Sequence, residues 1–450
     1  MKISDLKKMK ILYPLRELLY SLKPKGWFGR SAQIEALIPF GKAEKDMTKE
    51  ERAAAITQFN QKYPECKEIQ LHALWCSRIG EFILRCIAIA MDSNENTGDH
   101  IVHVFVPVVR GSVPQLESNS RLMRIMRRRF IIISPEDAAF WKAVFIGSKK
   151  LWKKRSYRYF DKYINKRTVS VIPPEVLDNL IVLNDEEVAE AGEKIWAMGL
   201  HQPFVCISSR DQAYLETLNP EQDWSFQTLR NSKIAACAKA AEYLKDQGIQ
   251  TVRMGRYERE RADFSSCIDY ANDYYDELLD IVLSRSAKFF VSDNNGINIL
   301  PYVSGVPVAL KNMAPLSGIG WGRVPQSDKG LFICKKYFLK AENRYLSLRE
   351  MLELEARGES NFTIHKIDFY LKNGIEVIEN TEEEIYDLVK EMNERLDGTW
   401  EEAEEGLQLQ EKFRKMRDDH FVRTGREYHA CLHCDISVNF LKRNPFLLDS

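Results

Sequence analysis

Arg210 stands just past the apolar run Phe204-Val205-Cys206-Ile207-Ser208, and Ser292-Asp293-Asn294-Asn295-Gly296 ends the run Lys288-Phe289-Phe290-Val291. Both are polar endings of segments that read as buried strands. An arginine in such a place can fork two hydrogen bonds onto a phosphate and keeps its charge at any working pH. A turn of small polar residues and glycine that opens a helix leaves backbone N–H groups unpaired, and the helix dipole favours an anion there. Ser208, Ser209, Arg210, Ser292, Asn294, Asn295 and Gly296 are therefore candidates for a diphosphate site. Ordinary alternatives exist: Arg210 can pair with Asp211 or another carboxylate, and Asp293 or Asn294 can simply cap the helix. The next strand end, Arg253-Met254-Gly255-Arg256, adds Arg253, which can face a ligand or brace the sheet. Gly255 permits a tight turn or a close backbone approach. Tyr257–Arg261 reads as a solvated charged loop.

Other motifs narrow the chemistry by their absence. There is no Walker-type glycine-rich loop and no Gly-x-Gly-x-x-Gly after a first strand, which argues against a nucleoside triphosphatase and a dinucleotide oxidoreductase. No Asp-x-Asp offers a carboxylate handle for a metal-bound nucleotide. His429-Ala430-Cys431-Leu432-His433-Cys434 holds one Cys-x-x-Cys and two histidines; a structural zinc site is conceivable, but no second pair follows at finger spacing and a packed tail is the alternative. No metal and no cofactor is assigned.

The elements that must position these residues follow from periodicity. Ile69–Trp75 reads as a strand, Glu81–Met91 as a helix and Ile101–Val109 as an apolar strand, a βαβ unit and hence a parallel sheet. Its first strand-to-helix loop is Cys76-Ser77-Arg78-Ile79-Gly80-Glu81. After Ile172-Pro173-Pro174 and a helix opened by Asn184 or Asp185, a cleaner alternation begins. Strands at 204–208, 251–254, 288–292 and 307–310 are separated by helices at 232–247, 275–286 and 296–303. Such a doubly wound sheet binds ligands beyond the carboxyl ends of its strands. Gly374–Ile378 reads as a strand, and Thr381 and Glu384 have capping-box spacing before a long helix. A last helical stretch spans Glu401–Asp419. The expected organisation is a basic amphipathic segment at 1–30, an α/β domain at 31–183, a second at 184–400 and a helical tail at 401–450.

Lys plus Arg and Asp plus Glu both number 65, a formal net charge of zero. Split at residue 170, the chain holds 32 basic and 17 acidic residues before (32 − 17 = +15) and 33 and 48 after (33 − 48 = −15). Such asymmetry points to an anionic partner for the basic half. Ile3–Leu22 has apolar residues at helical spacing with lysines between, followed by Trp27 and Phe28: an interfacial helix for an anionic membrane surface, or an amphipathic helix docked on its own domain. The basic runs Arg121–Arg129 and Lys149–Arg167 belong to the same half. A nucleic-acid groove competes, but no recognisable nucleic-acid module accompanies the charge. Nine cysteines without framework spacing suggest reduced thiols. With no long apolar span and no secretory leader, the expected location is cytoplasmic or peripheral on the inner membrane face.

Phe204–Asp211, Val252-Arg253-Met254-Gly255, and Lys288–Leu310 with its Gly305-Val306-Pro307-Val308 resemble a group of bacterial glycosyltransferases of surface-glycan gene clusters. The resemblance continues through Ile378–Ile385 and Phe440–Pro445, is present at Arg78-Ile79-Gly80-Glu81, and covers most of residues 68–445. It implies a GT-B-like fold, α/β with two Rossmann-like domains facing a cleft, and carboxyl-terminal helices. It also implies a nucleotide-sugar donor held by the second domain, with Arg210 and the 292–296 turn at the diphosphate. The first domain's loop, with Arg78 and Gly80, then faces a glycan or lipid-linked acceptor. Glu81 is the best-placed general base to deprotonate the acceptor hydroxyl, with Asp211 as its rival, although Glu81 can equally be a helix-start carboxylate favoured by the dipole. Two alternatives stay open: a sugar-nucleotide epimerase on the same architecture, and a non-catalytic membrane-associated member of a glycan-assembly complex.

Overall fold

The computed structural model describes residues 38, 42–95, 100–107, 118–148, 152–154, 172–218, 220–317, 329–358, 361–424 and 434–449. The amino-terminal amphipathic segment, most of Lys149–Arg167, and Cys431 with both neighbouring histidines lie outside them.

Four short strands form the first sheet: β1 (Glu68–Leu74), β2 (Ile101–Pro107), β3 (Ile131–Ile132) and β4 (Trp152–Lys154). Their order is β3-β2-β1-β4, and every pairing is parallel. The helix Ile79–Glu95 connects β1 to β2. Apolar side chains cover both faces, as a parallel sheet requires: Phe82, Ile83 and Ile87 belong to one core cluster, Phe59, Trp141 and Val144 to the other.

The second sheet is larger and also all-parallel. It is built from β5 (Phe204–Ser208), β6 (Gln250–Met254), β7 (Cys267–Ile268), β8 (Phe290–Ser292), β9 (Val308–Met313) and β10 (Leu331–Cys334). β11 (Lys336–Leu339), β12 (Arg344–Tyr345) and β13 (Ile375–Ile378) form a separate antiparallel sheet, and β14 (Asp435–Ile436) returns to the edge of the large one. The large sheet runs β14-β10-β9-β8-β5-β6-β7. The architecture is thus α/β with two Rossmann-like parallel sheets, followed by the helices Glu382–Asp397, Glu404–Thr424 and Val438–Arg443. The strand expected at Gly374–Ile378 exists but pairs antiparallel with β11, outside the large sheet. Thr381 and Glu384 make the expected capping box. The helix expected at 232–247 begins with a 3-10 turn, Ile234–Cys237, and continues as Ala238–Asp246. Burial pushes the thiols of Cys86, Cys206, Cys237 and Cys334 up, which leaves them inert core groups.

The two sheets are joined by a mixed seam. Ile281, Ile299, Leu300 and Val303 of the second half share one apolar cluster with Phe82, Ile83, Leu122 and Met126 of the first. Around it, the run Arg121–Arg129 meets acidic side chains. Arg121 Nη2 lies 2.8 Å from Glu190, and Arg128 Nη1 donates to Glu187 at 3.0 Å. Glu277 accepts from Ser120 N at 2.7 Å and Arg121 N at 3.3 Å, at the start of the helix Ser120–Met126. Part of the basic charge expected to meet an external anion is therefore matched within the chain, basic half to acidic half. Among the described residues no helix is long and apolar enough to cross a membrane.

Candidate active site

β5 and β8 are neighbours with Ile207 opposite Val291, so their last residues, Ser208 and Ser292, come side by side. Their hydroxyls are 2.9 Å apart, and Asn295 Nδ2 donates to Ser208 Oγ at 3.0 Å. Both serines are buried and satisfied within the protein. Ser209 is buried as well and accepts from Lys311 Nζ at 2.9 Å. These three serines, expected to touch a phosphate, brace the turn instead. The helix expected from Gly296 begins only at Ile299 and ends at Val303. Five residues carry little dipole, and Asn298 donates its amide to Asp293 O at 3.2 Å, so the helix terminus is not what would hold an anion here. Asn294 is buried in the same turn. Nor does Asp293 act as a cap.

Asp293 joins three segments. Its Oδ2 accepts from Arg210 N at 2.7 Å and Ser232 Oγ at 2.6 Å, and its Oδ1 accepts from Lys311 Nζ at 2.6 Å. Lys311 also donates to Ser232 Oγ at 3.0 Å. This network fixes the backbone of Arg210 and sets where its side chain can reach.

The Arg210 guanidinium donates to Gln227 O at 3.2 Å, Asn231 Oδ1 at 2.7 Å and Gln227 Oε1 at 3.0 Å. Arg230 donates to the same Gln227 Oε1 at 2.7 Å, and its buried Nε has no partner. Among the described residues no carboxylate forms an ion pair with Arg210 or Arg230. Arg78, from the β1 loop of the first half, lies with its guanidinium carbon 6.0 Å from the Trp224 ring centroid. Burial, then repulsion from Arg78, pulls the Arg210 pKa down to about 10. Arg230 is driven well below the usual range by burial and by both other arginines. The burial of Arg210 and Arg230 and the repulsion among the three arginines cost free energy that an anion would recover.

The first half closes on this edge through the expected loop. A Cβ on Gly296 would stand 3.5 Å from Ile79 Cγ2 and 3.9 Å from Gly80 N. Tyr214 OH donates to Ser77 O at 3.4 Å. Arg78, Gly80, Arg210 and Gly296 are thus brought together across the seam. Glu81 sits in the first turn of its helix, 44% exposed, with Arg85 Nη2 at 3.5 Å. Asp211 has both oxygens engaged: Oδ1 accepts from Ala213 N at 2.7 Å and Oδ2 from Arg259 N at 2.8 Å.

Arg253 does not join the group. Its side chain is 1% exposed and lies 3.1 Å from Glu258 and 3.5 Å from Asp269, which makes it a brace of the sheet edge. Gly255 has φ +151°, a conformation that other residues rarely adopt, and the Glu258 carboxyl lies over it, 2.3 Å from where a Cβ would stand. The loop 257–261 is not wholly solvated, because Glu258 folds back over Gly255 and its side chain is only 11% exposed. Tyr257, beside it, is held at φ +59°, a left-handed conformation costly for an aromatic residue. Lys311, Arg230, Ser232 and Glu258 are the site residues that periodicity and motif reasoning missed. Lys311 alone had a signal, a lysine directly after an apolar run. Among the described residues, no group of three or more His, Cys, Asp or Glu is placed to hold a metal ion.

No family model matches the chain, and no curated protein matches it. Solved structures to which the chain is similar include a glycosyl transferase family 9 protein from Veillonella parvula, at 13% identity and TM-score 0.34, covering 58% of this chain and 84% of that one. The Escherichia coli ADP-heptose LPS heptosyltransferase II aligns at 12% identity and TM-score 0.30 over 54% of this chain and 84% of its own. The dodecameric iron-containing heptosyltransferase TibC, in complex with ADP-D-β-D-heptose, aligns at 9% identity and TM-score 0.37 over 73% of this chain and 77% of its own.

Proposed function

We propose that the chain is a glycosyltransferase that moves a sugar from a nucleotide-activated donor to a glycan or lipid-linked acceptor in surface-polysaccharide or glycoconjugate synthesis. One observation carries the reading: Arg210, Arg230 and Arg78 converge at the carboxyl edge of a parallel sheet, and among the described residues the hydrogen-bond acceptors of the Arg210 and Arg230 guanidinium groups are neutral. A diphosphate matches their charge. In this reading residues 184–400 hold the donor and residues 31–183 face the acceptor. As the sugar–phosphate bond breaks, the guanidinium groups stabilise charge on the departing diphosphate, the part a metal plays elsewhere. Glu81 is the better base, because it is half exposed in the first turn of the helix that follows the facing loop while Asp211 spends both oxygens on backbone N–H groups. The basic 1–30 segment would hold the protein at an anionic membrane from the cytoplasmic side.

The test is a thermal-shift screen of the full-length protein against nucleoside diphosphates and nucleotide sugars, repeated with Arg210→Ala. A ligand that binds the native state raises the melting temperature. The reading expects a shift in wild type that Arg210→Ala abolishes. Equal shifts in both proteins would remove Arg210 from the site, and conversion of one nucleotide sugar into another without acceptor would mark an epimerase.

A further inference from the structure

Trp224, Gln227 and Arg230 stand three residues apart, and the chain between them is a 3-10 helix, Ser225–Arg230, opened at Trp224. A 3-10 turn takes three residues, so side chains at that spacing stack in one column. The column meets all three arginines of the site. The Trp224 ring centroid lies 6.0 Å from the guanidinium carbon of Arg78, and Gln227 Oε1 accepts from Arg210 Nη2 at 3.0 Å. Arg230, the last member of the column, donates to that same Oε1 at 2.7 Å. Two guanidinium donors on one atom fix it as the amide oxygen. Further bonds hold the column in place: Trp224 O accepts from Gln227 N at 2.9 Å and from Gln212 Nε2 at 2.7 Å, and Ser232 N donates to Arg210 O at 2.9 Å. Gln227 is 8% exposed, so its amide has left water to make this tie.

A glutamate at 227 would have the same shape and reach, and its carboxylate would pair with both arginines. Glutamine gives them an acceptor and no charge. Burial and mutual repulsion press on Arg210 and Arg230, and among the described residues neither forms an ion pair with a carboxylate. We propose that Gln227 is the positioning residue of this cluster: it ties Arg210 to Arg230 through one neutral oxygen, so that their counter-charge is left for an anionic ligand to supply. The inference rests on the donor-site reading above and names what keeps that site ready for a diphosphate. Gln227 touches no reacting atom; it acts through the two arginines.

The experiment uses the full-length protein and its Gln227→Glu and Gln227→Leu variants. Melting temperatures are read with and without inorganic pyrophosphate, affinities for uridine and adenosine diphosphates by calorimetric titration, and stability by urea unfolding. Gln227→Glu should unfold at higher urea than wild type, because a carboxylate now compensates two buried cations. Yet it should bind nucleoside diphosphates about 100-fold or more weakly, its arginines already paired. Gln227→Leu should lose about 10-fold in affinity and unfold at lower urea, its arginines deprived of their shared acceptor. Pyrophosphate should raise the melting temperature of wild type and leave that of Gln227→Glu unmoved. A residue that only braced the fold would change stability and affinity in the same direction in both variants. A Gln227→Glu protein that binds nucleoside diphosphates like wild type, or that loses stability and affinity together, overturns the assignment and leaves the donor site standing. If wild type binds pyrophosphate and Gln227→Glu does not, but neither protein binds a nucleoside diphosphate, the tie at Gln227 stands and the nucleotide reading falls. If wild type binds neither pyrophosphate nor a nucleoside diphosphate, both fall.

Discussion

Lys311 and Asp293 meet at 2.6 Å with no part of either side chain exposed to solvent. Such a pair is costly to desolvate and costly to break singly. Here each partner has further bonds: the ammonium reaches two seryl hydroxyls, and the carboxylate accepts from Arg210 N and Ser232 Oγ. Lys311→Met should therefore destabilise the fold by about 3–5 kcal/mol, and Asp293→Ala by a similar amount. The double substitution should cost clearly less than their sum, because neither leaves a lone buried charge. Urea unfolding of the three variants checks this, and strict additivity would deny that the pair acts as a unit.

Arg210 and Arg230 share Gln227 Oε1 and repel one another, and among the described residues neither guanidinium forms an ion pair with a carboxylate. Removing either should leave the fold almost untouched while weakening a nucleoside diphosphate by about 10- to 100-fold, the worth of one charged hydrogen-bonding group. Arg210→Lys should not restore binding, since an ammonium cannot copy the fork. Calorimetric titration with uridine and adenosine diphosphates gives the numbers. A variant that loses stability but keeps its affinity would recast these arginines as structural.

The strands ending at Ser208, Met254 and Ser292 are legible from sequence because each is a continuous apolar run bounded by polar residues, the pattern of a strand buried on both faces. Lys311 falls outside the strand expected at 307–310; the strand runs on to Met313, where a buried lysine needs an anion, and Asp293 directly follows the strand that pairs there, with Ser292 opposite Leu310. Arg230 is not legible, since 225–230 has no periodicity and its position depends on Gln227 and Asn231 meeting Arg210. Glu258 hides in an alternating charged stretch that looks solvated, and only the turn at Gly255 brings it inward. The late start of the helix at Ile299 has a local cause, the Asn298 amide bonded to Asp293 O. The charge split pointed to a partner; the seam shows that Arg121 and Arg128 find part of that partner in Glu190 and Glu187.

Glu277 holds that seam at a helix terminus. It accepts from Ser120 N, Ser120 Oγ and Arg121 N, and Arg256 Nη1 stands 3.5 Å from its other oxygen. Glu277→Ala should cost about 1–3 kcal/mol, the range for leaving such donors unsatisfied. Amide exchange at Ser120 and Arg121 should accelerate more than at Val205 or Val252 in the centre of the large sheet. Uniform acceleration throughout the chain would mean that the bond stabilises the whole fold and not the junction.

Asp280, on the same helix as Glu277, makes the junction sensitive to pH. It is buried against Tyr270 OH at 3.0 Å and Asn119 Nδ2 at 3.4 Å, with Arg256 and Glu277 nearby. Burial lifts its pKa to about 7, against the pull of Tyr270, Arg256 and Asn119. An unfolded aspartate titrates at about 4. Between these values the folded chain keeps a proton that the unfolded chain releases, so this contribution to stability is full below the unfolded value and is lost as pH rises through about 7. Asp280→Asn cannot ionise. Across pH 5 to 8 the wild-type unfolding free energy should therefore fall relative to that of the variant, with the gap closing to a constant above pH 8. Parallel curves for the two proteins would show that Asp280 is already ionised at pH 5, and that the Tyr270 and Asn119 bonds outweigh its burial.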